Sequence, residues 1–182
     1  DSGLVLPPRI ARVQAIVIPI QQHKEGVLAK AQEVCAAIGA VCRAKLDDSE
    51  KSPGWKFSEQ EMRGIPVRVE LGPKDIAAGK CIVVRRDTRE KLELGLDELE
   101  VLETIQRDMF ERAKAHRDAH IWDAHSYEEL KETAANKPGF IRGMWCGEQS
   151  CEDKIKEELA VTSRCMPFSD QEHIADTCVC CG

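Results

Sequence analysis

Four cysteines near the end of the chain constrain its fold most: Cys146 and Cys151, spaced C-x4-C, and Cys178 and Cys181, spaced C-x2-C. A tight turn places two thiolates about 3.5 to 4 Å apart, and two such pairs close a tetrahedral Zn(Cys)4 shell with Zn–S bonds of roughly 2.3 Å. A closed shell leaves no position for water. The pattern therefore predicts a structural zinc that ties residues 146–151 to the chain's last residues across the 26 positions between Cys151 and Cys178, and not a hydrolytic centre. The run Cys178-Val179-Cys180-Cys181-Gly182 offers two candidates for the last ligand. Cys181 is favoured because C-x2-C followed by Gly makes a knuckle whose amides point at sulfur. Cys180 is the alternate.

Nine cysteines could instead form a disulfide framework with one left over. Two features weigh against it. A chain of 182 residues is large for a disulfide-dependent fold, and Asp1-Ser2-Gly3-Leu4 shows no basic region leading into an apolar run, the pattern of a secretory leader. Cys35, Cys42, Cys81 and Cys165 sit in apolar or strand-like runs and read as buried small hydrophobes. The expected setting is intracellular and soluble, because no apolar stretch approaches the 18 or more residues of a membrane span. The missing initial Met and the stop just after the last ligand pair lead us to expect a piece of something longer.

The hydrophobic pattern organises the rest. Residues 12–20 form a β-branched run suited to a buried strand, 25–38 carry apolar residues at helical spacing with Gly39 placed to end it, and 40–46 read as a second strand. After a turn-rich stretch, 47–54, a short helix is predicted from Ser58 to Arg63, with Ser58 as N-cap, Glu61 completing a capping box and Gly64 as stop. Pro66–Leu71 alternates as a strand, 72–75 turn into a brief helix, and 80–86 form another strand with Arg85 and Arg86 at its mouth. Such a β-α-β series is the mark of a sheet covered by helices. From Leu96 to about His120 the periodicity predicts one long helix with Leu96, Leu99, Leu102, Ile105, Met109, Phe110 and Ala113 on one face, able to link two domains. Beyond it the pattern gives a helix at 126–135, a strand at 139–145, a helix at 152–159 and a strand at 160–165. The fold class is α/β followed by a small α+β zinc-binding unit, with domains at 1–103 and 104–182.

No glycine-rich phosphate loop, G-x-S-x-G elbow or H-E-x-x-H motif is present. His116, His120 and His125 are the nearest histidine set, and 116 and 120 fall on a polar helical face. The residues favour a binding module over a self-contained active site. With 32% charged residues and a net charge of −6, bulk electrostatics does not advertise nucleic acid, so an RNA site has to be a local patch. One constellation has the chemistry for it: Phe57, Glu61, Arg68 and Lys74, set on a helix start, a strand and a turn. An aromatic ring stacks an unpaired base, a carboxylate accepts from guanine's Watson–Crick edge, and a cation donates to guanine oxygen or to phosphate. A half-buried Phe among ordinary surface charges is the competing reading from spacing alone.

Five segments, Gly3–Arg9, Ser52-Pro-Gly-Trp-Lys-Phe57, Gly64-Ile-Pro-Val-Arg-Val-Glu-Leu-Gly-Pro-Lys-Asp75, Val84-Arg-Arg-Asp-Thr88 and Trp145-Cys-Gly-Glu-Gln-Ser-Cys-Glu-Asp153, together resemble the prolyl-tRNA synthetase family. The likeness is to its archaeal and eukaryote-like form and covers essentially the whole chain in order. It implies an anticodon-binding domain with a five-stranded mixed sheet flanked by helices, followed by a zinc-binding domain. It further implies that Phe57, Glu61, Arg68 and Lys74 contact the two guanines of the proline anticodon, and that Cys146, Cys151, Cys178 and Cys181 hold zinc. The family's catalytic domain, with its ATP and Mg, is expected before Asp1, and a tail ending in Tyr after Gly182. The chain alone is then expected to be inactive, its partners being proline tRNA and the catalytic domain, within a cytoplasmic homodimeric ligase. The alternative is a freestanding zinc-braced RNA-binding or protein-interaction module.

Overall fold

Strand β1, Ala15–Pro19, is buried along its whole length, which its Ala-Ile-Val-Ile composition permits only if both faces are covered. The computed structural model describes residues 3–95, 101–168 and 172–182 and divides into two units, Asp1–Glu111 and Arg112–Gly182.

In the first unit β1 sits between β2, Ala44–Leu46, and β3, Val67–Leu71, parallel to both. Strand β4, Lys80–Arg85, pairs antiparallel with β3, and β5, Lys91–Gly95, pairs antiparallel with β4. The order β2-β1-β3-β4-β5 is the expected five-stranded mixed sheet. Alternation along the strands divides its two faces. Ala15, Val17, Val67, Val69, Leu71, Cys81 and Val83 share one core with helix α1, Val27–Gly39, and with Val101, Leu102 and Ile105 of helix α4, Val101–Asp118. Ile16 and Ile18 turn the other way, onto Ile65 and onto Phe57 of helix α2, Pro53–Arg63. On that second face strands β3, β4 and β5 present Arg68, Glu70, Val84 and Lys91, with Arg68 opposite Val84 and Val84 opposite Lys91.

Helix α2 starts earlier than the sequence pattern predicts. Ser52 is its N-cap, accepting from Trp55 N at 3.4 Å, and Pro53 occupies the first turn; proline's fixed φ and missing N–H suit that position. Ser58, expected as the cap, lies inside the helix. The helix ends at Gly64, whose φ of 70° lets its N–H return to Gln60 and Glu61 carbonyls. The N-terminal strand-like segment docks there, Leu4 N donating to Met62 O and Leu6 N to Gly64 O. Helix α3, Pro73–Ala77, follows β3 with Asp75 Oδ2 accepting from Gly72 N at 2.8 Å.

The second unit contains a β-α-β turn of its own: β6, Ile121–Asp123, then α5, Tyr127–Asn136, then β7, Phe140–Arg142, the two strands parallel. Arg142 forks onto Asp123 at 2.7 and 3.0 Å. Ala124, Leu130 and Val179 form its core with Ile141, Ile155 and Leu159, the last two on α6, Gln149–Leu159.

Three expectations are corrected. Residues 160–165 form no strand and are exposed or half-buried, because among the described residues nothing offers them a ladder. Cys165, expected buried, is consequently exposed, and Cys35 and Cys42 are only half-buried; Cys81 is buried. Phe110, expected on the apolar stripe of the long helix, is 61% exposed, since that stripe is covered only as far as Met109; Leu96 and Leu99 lie outside the described residues. Strands β5 and β6 were not apparent from the apolar periodicity.

A side chain at Gly64 meets both strain and a clash: a Cβ there lies 2.7 Å from Leu4 Cβ and 2.9 Å from its carbonyl carbon, at a φ of 70°. Gly64→Ala is expected to cost about 1–2 kcal/mol or more, lowering the thermal midpoint of the first unit in a calorimetric melt by several degrees.

Candidate functional site

Phe57 and Glu61 stand four residues apart on α2 and so share one helical face. Arg68 and Glu70 stand two apart on β3 and share one sheet face. The fold brings these two pairs together. The Arg68 guanidinium lies over the Phe57 ring, 4.1 Å from its centroid. Its Nη1 donates to Glu61 Oε1 at 3.0 Å and its Nε to Glu70 Oε1 at 3.0 Å. Arg68 is 9% exposed, so a cation this deep depends on those two carboxylates and the ring for compensation.

Beside this cluster opens a cavity of about 210 Å³, lined among others by Gln60, Glu61, Arg68, Arg86, Arg89 and Lys91. Arg86 Nε reaches the Glu61 carbonyl at 3.3 Å. Three cations on one rim form the local basic patch that the acidic total conceals. Of the four residues singled out in the sequence, Phe57, Glu61 and Arg68 thus meet. Lys74 does not join them: it is exposed on α3, beyond the other end of β3, with about 10 Å of strand between Arg68 and Leu71. Among the described residues it makes no hydrogen bond or ion pair with the other three. Arg89 and Lys91 were not singled out in the sequence; Lys91 reaches the site through antiparallel pairing, Arg68 opposite Val84 and Val84 opposite Lys91. The alternation in Lys91-Leu-Glu-Leu-Gly95 was the available signal.

Arg85 points to the opposite face and serves the fold. It donates twice to Asp87, both at 3.0 Å, and once to Asp108 of α4 at 2.8 Å. Donation to Asp87, and then to Asp108, outweighs burial and holds its pKa above the usual arginine value.

In the second unit the sulfurs of Cys146, Cys151, Cys178 and Cys181 all lie within 4.8 Å of one another. The Cys146–Cys151 separation is 3.7 Å and Cys181–Cys146 is 3.9 Å. A tetrahedron with arms of about 2.3 Å has edges of about 3.8 Å, so the donor set fits a thiophilic tetrahedral ion. Local structure explains the convergence. Cys151 lies in the first turn of α6, Cys146 precedes the helix in a loop, and Val179 N donates to Met144 O at 2.8 Å, clamping the final segment beside the first pair. Burial pushes the Cys151 thiol up. Burial also acts to raise Cys178, but the Cys180 and Cys181 amides and neighbouring Cys146 pull it down to about 6; Cys180 N lies 3.4 Å from its sulfur. Cys181, and not Cys180, completes the quartet; Cys180 is buried against Cys151 and Cys178. His116 and His120 stack on each other at 4.3 Å and join no such cluster among the described residues.

Two family models match. Residues 14–106 match the model described as "Anticodon binding domain", and residues 127–182 the model described as "Prolyl-tRNA synthetase, C-terminal". The class defined by fold and site is therefore an anticodon-binding α/β domain joined to a cysteine-rich C-terminal unit. The chain belongs to the prolyl-tRNA synthetase family. It is 64% identical to proteins named Proline–tRNA ligase from Lachnoclostridium phytofermentans and Lachnospira eligens, and 55% identical to one so named from Clostridium novyi. Each alignment covers 100% of this chain and 39% of the relative, so the chain spans about two fifths of the length of these proteins. No helix among the described residues is long and apolar enough to cross a membrane.

Arg85→Ala takes from Asp87, whose side chain is 1% exposed, the two hydrogen bonds donated by the guanidinium. The expected loss is about 3–5 kcal/mol, read as a shift of the denaturant midpoint; an unchanged midpoint would remove Arg85 from the account of stability.

Proposed function

We propose that this chain is the anticodon-reading and metal-braced part of a ligase that attaches L-proline to its tRNA at the expense of ATP. The observation that carries the reading is the joining of Phe57, Glu61 and Arg68 beside a cation-rimmed cavity, on an anticodon-binding domain. Phe57 and the Arg68 plane supply a surface on which an unpaired base stacks. Glu61 accepts from guanine's Watson–Crick donors and Arg68 donates to its oxygen and ring nitrogen. Lys74, on α3 beyond the far end of β3, contacts base or phosphate outside this pocket, while Arg89 and Lys91 neutralise phosphate nearer to it.

The four thiolates hold structural zinc, which supplies four bonds to sulfur and no chemistry on a substrate. Cys146, Cys151, Cys178 and Cys181 fix the last residues of the chain to the start of α6 and thereby brace the second unit. Activation of proline, with ATP and Mg, belongs to a catalytic domain of the same protein that these residues do not contain. The working protein is then a cytoplasmic homodimer whose partners are proline tRNA and, within the chain, that catalytic domain.

The test is low-salt binding of this chain to a proline-tRNA anticodon stem-loop and to the same loop with both guanines replaced by adenine. Preference for the guanine loop is expected, and Arg68→Ala should cost about 1–3 kcal/mol, roughly ten- to hundredfold. Equal binding of both loops would contradict the reading. For the metal, elemental analysis should find one zinc per chain, lost in Cys146→Ser and Cys178→Ser and retained in Cys180→Ser. Retention of zinc in both ligand variants would refute the assignment.

A further inference from the structure

Gln60 carries the one buried side-chain oxygen or nitrogen among the described residues that lacks a hydrogen-bond partner, its Oε1. The residue is 7% exposed and lines the cavity together with Glu61 and Arg68. A buried acceptor without a donor weakens the fold and calls for a reason. Its amide is not free to turn and find one. Gln60 Nε2 donates to Asp47 Oδ2 at 3.2 Å. Asp47 is itself held, Ser49 Oγ donating to its Oδ1 at 2.7 Å and Lys56 Nζ, 2% exposed, donating to its carbonyl at 2.8 Å. Turning the amide over would set its oxygen against the Asp47 carboxylate. Lys56 and Asp47 thus fix which end of Gln60 is an acceptor.

The chemistry of guanine matches that vacancy in the bonding pattern. Its Watson–Crick edge carries N1–H and an exocyclic amino group with two hydrogens. The Glu61 carboxylate, taking two donors side by side, accepts N1–H and one amino hydrogen, which leaves the second amino hydrogen in need of an acceptor. Adenine, cytosine and uracil have no amino group at that position.

We infer that Gln60 is a specificity-determining residue for guanine, its Oε1 accepting from the exocyclic amino group of one anticodon guanine in the cavity it shares with Glu61 and Arg68. The inference rests on the anticodon reading above. A site built to satisfy a polar group rejects the analogue that lacks it, because the protein's acceptor is then left unpaired. Gln60 therefore contributes selectivity more than affinity for RNA in general.

Inosine tests this, since hypoxanthine is guanine without the amino group. Anticodon stem-loops with guanine, inosine or adenine at each of the two positions are titrated into the wild-type chain and into Gln60→Met, with a thermal melt of each protein. The wild type should lose roughly tenfold on guanine-to-inosine replacement at one position, and Gln60→Met should bind those two loops equally while still preferring guanine to adenine. If Gln60→Met does not fold, Gln60→Asn, which draws the oxygen back by one methylene, takes its place with the same expectation. Wild-type indifference to inosine at both positions, or a variant that keeps the full tenfold ratio, overturns the inference and leaves the anticodon reading standing. Wild-type indifference to adenine as well removes that reading, and this inference with it.

Discussion

The functional face of the first unit depends on how one buried arginine is held. Arg68 is locked by a ring beneath it, by Glu70 on its own strand and by Glu61 on the helix opposite. These contacts compensate a charge that burial would otherwise make costly, and they also fix the plane of the guanidinium before any ligand arrives. Because two of the partners sit on α2 and one on β3, the same contacts tie the helix to the sheet. Packing adds to the restraint: Phe57 belongs to the small core with Ile16, Ile18 and Ile65 that seats α2 on the sheet. Stability and recognition geometry are thus built from the same side chains, and less ordering entropy is left to be lost on binding.

The second unit solves a different problem. It has about 70 residues, two three-residue strands and few buried apolar side chains, close to the size at which a hydrophobic core alone is marginal. Two of its quartet cysteines, Cys151 and Cys178, cluster with Cys180 against Tyr127 and Ile155 of that core. A tetrahedral ion there would anchor α6 and the chain's last residues where apolar burial is thin.

How much of this was legible follows from which contacts are local in sequence. The four-residue step from Phe57 to Glu61 was hidden, because the helix was expected only from Ser58, and Glu70 was not singled out; Phe57, Glu61 and Arg68 were picked out by their chemistry and the family resemblance, each within one short stretch of chain. The cysteine spacings were legible directly, and the quartet converges through short-range turns plus one backbone bond from Val179 to Met144. What else stayed hidden depends on register between strands. Lys91 reaches Arg68 only through β4, and no local pattern reports that. The start of α2 was misread because Pro53 and Gly54 resemble a turn until Ser52 is recognised as a cap. Gln60 and Lys56 were hidden differently: they fill a buried helical face with polar atoms, which inverts the apolar periodicity used to find such faces.

The central claim is that the α2–β3–β4 surface built around Arg68 is where RNA bases are read. The most direct measurement is nuclear magnetic resonance of the full chain during titration with the guanine-containing anticodon stem-loop, following the Arg68 Nε–H and the Phe57 ring protons. The account predicts that these move most, together with Lys91, while Val17 and Val69, whose side chains lie in the opposite core, stay nearly still. Binding of the stem-loop with Arg68 and Phe57 unmoved would contradict it.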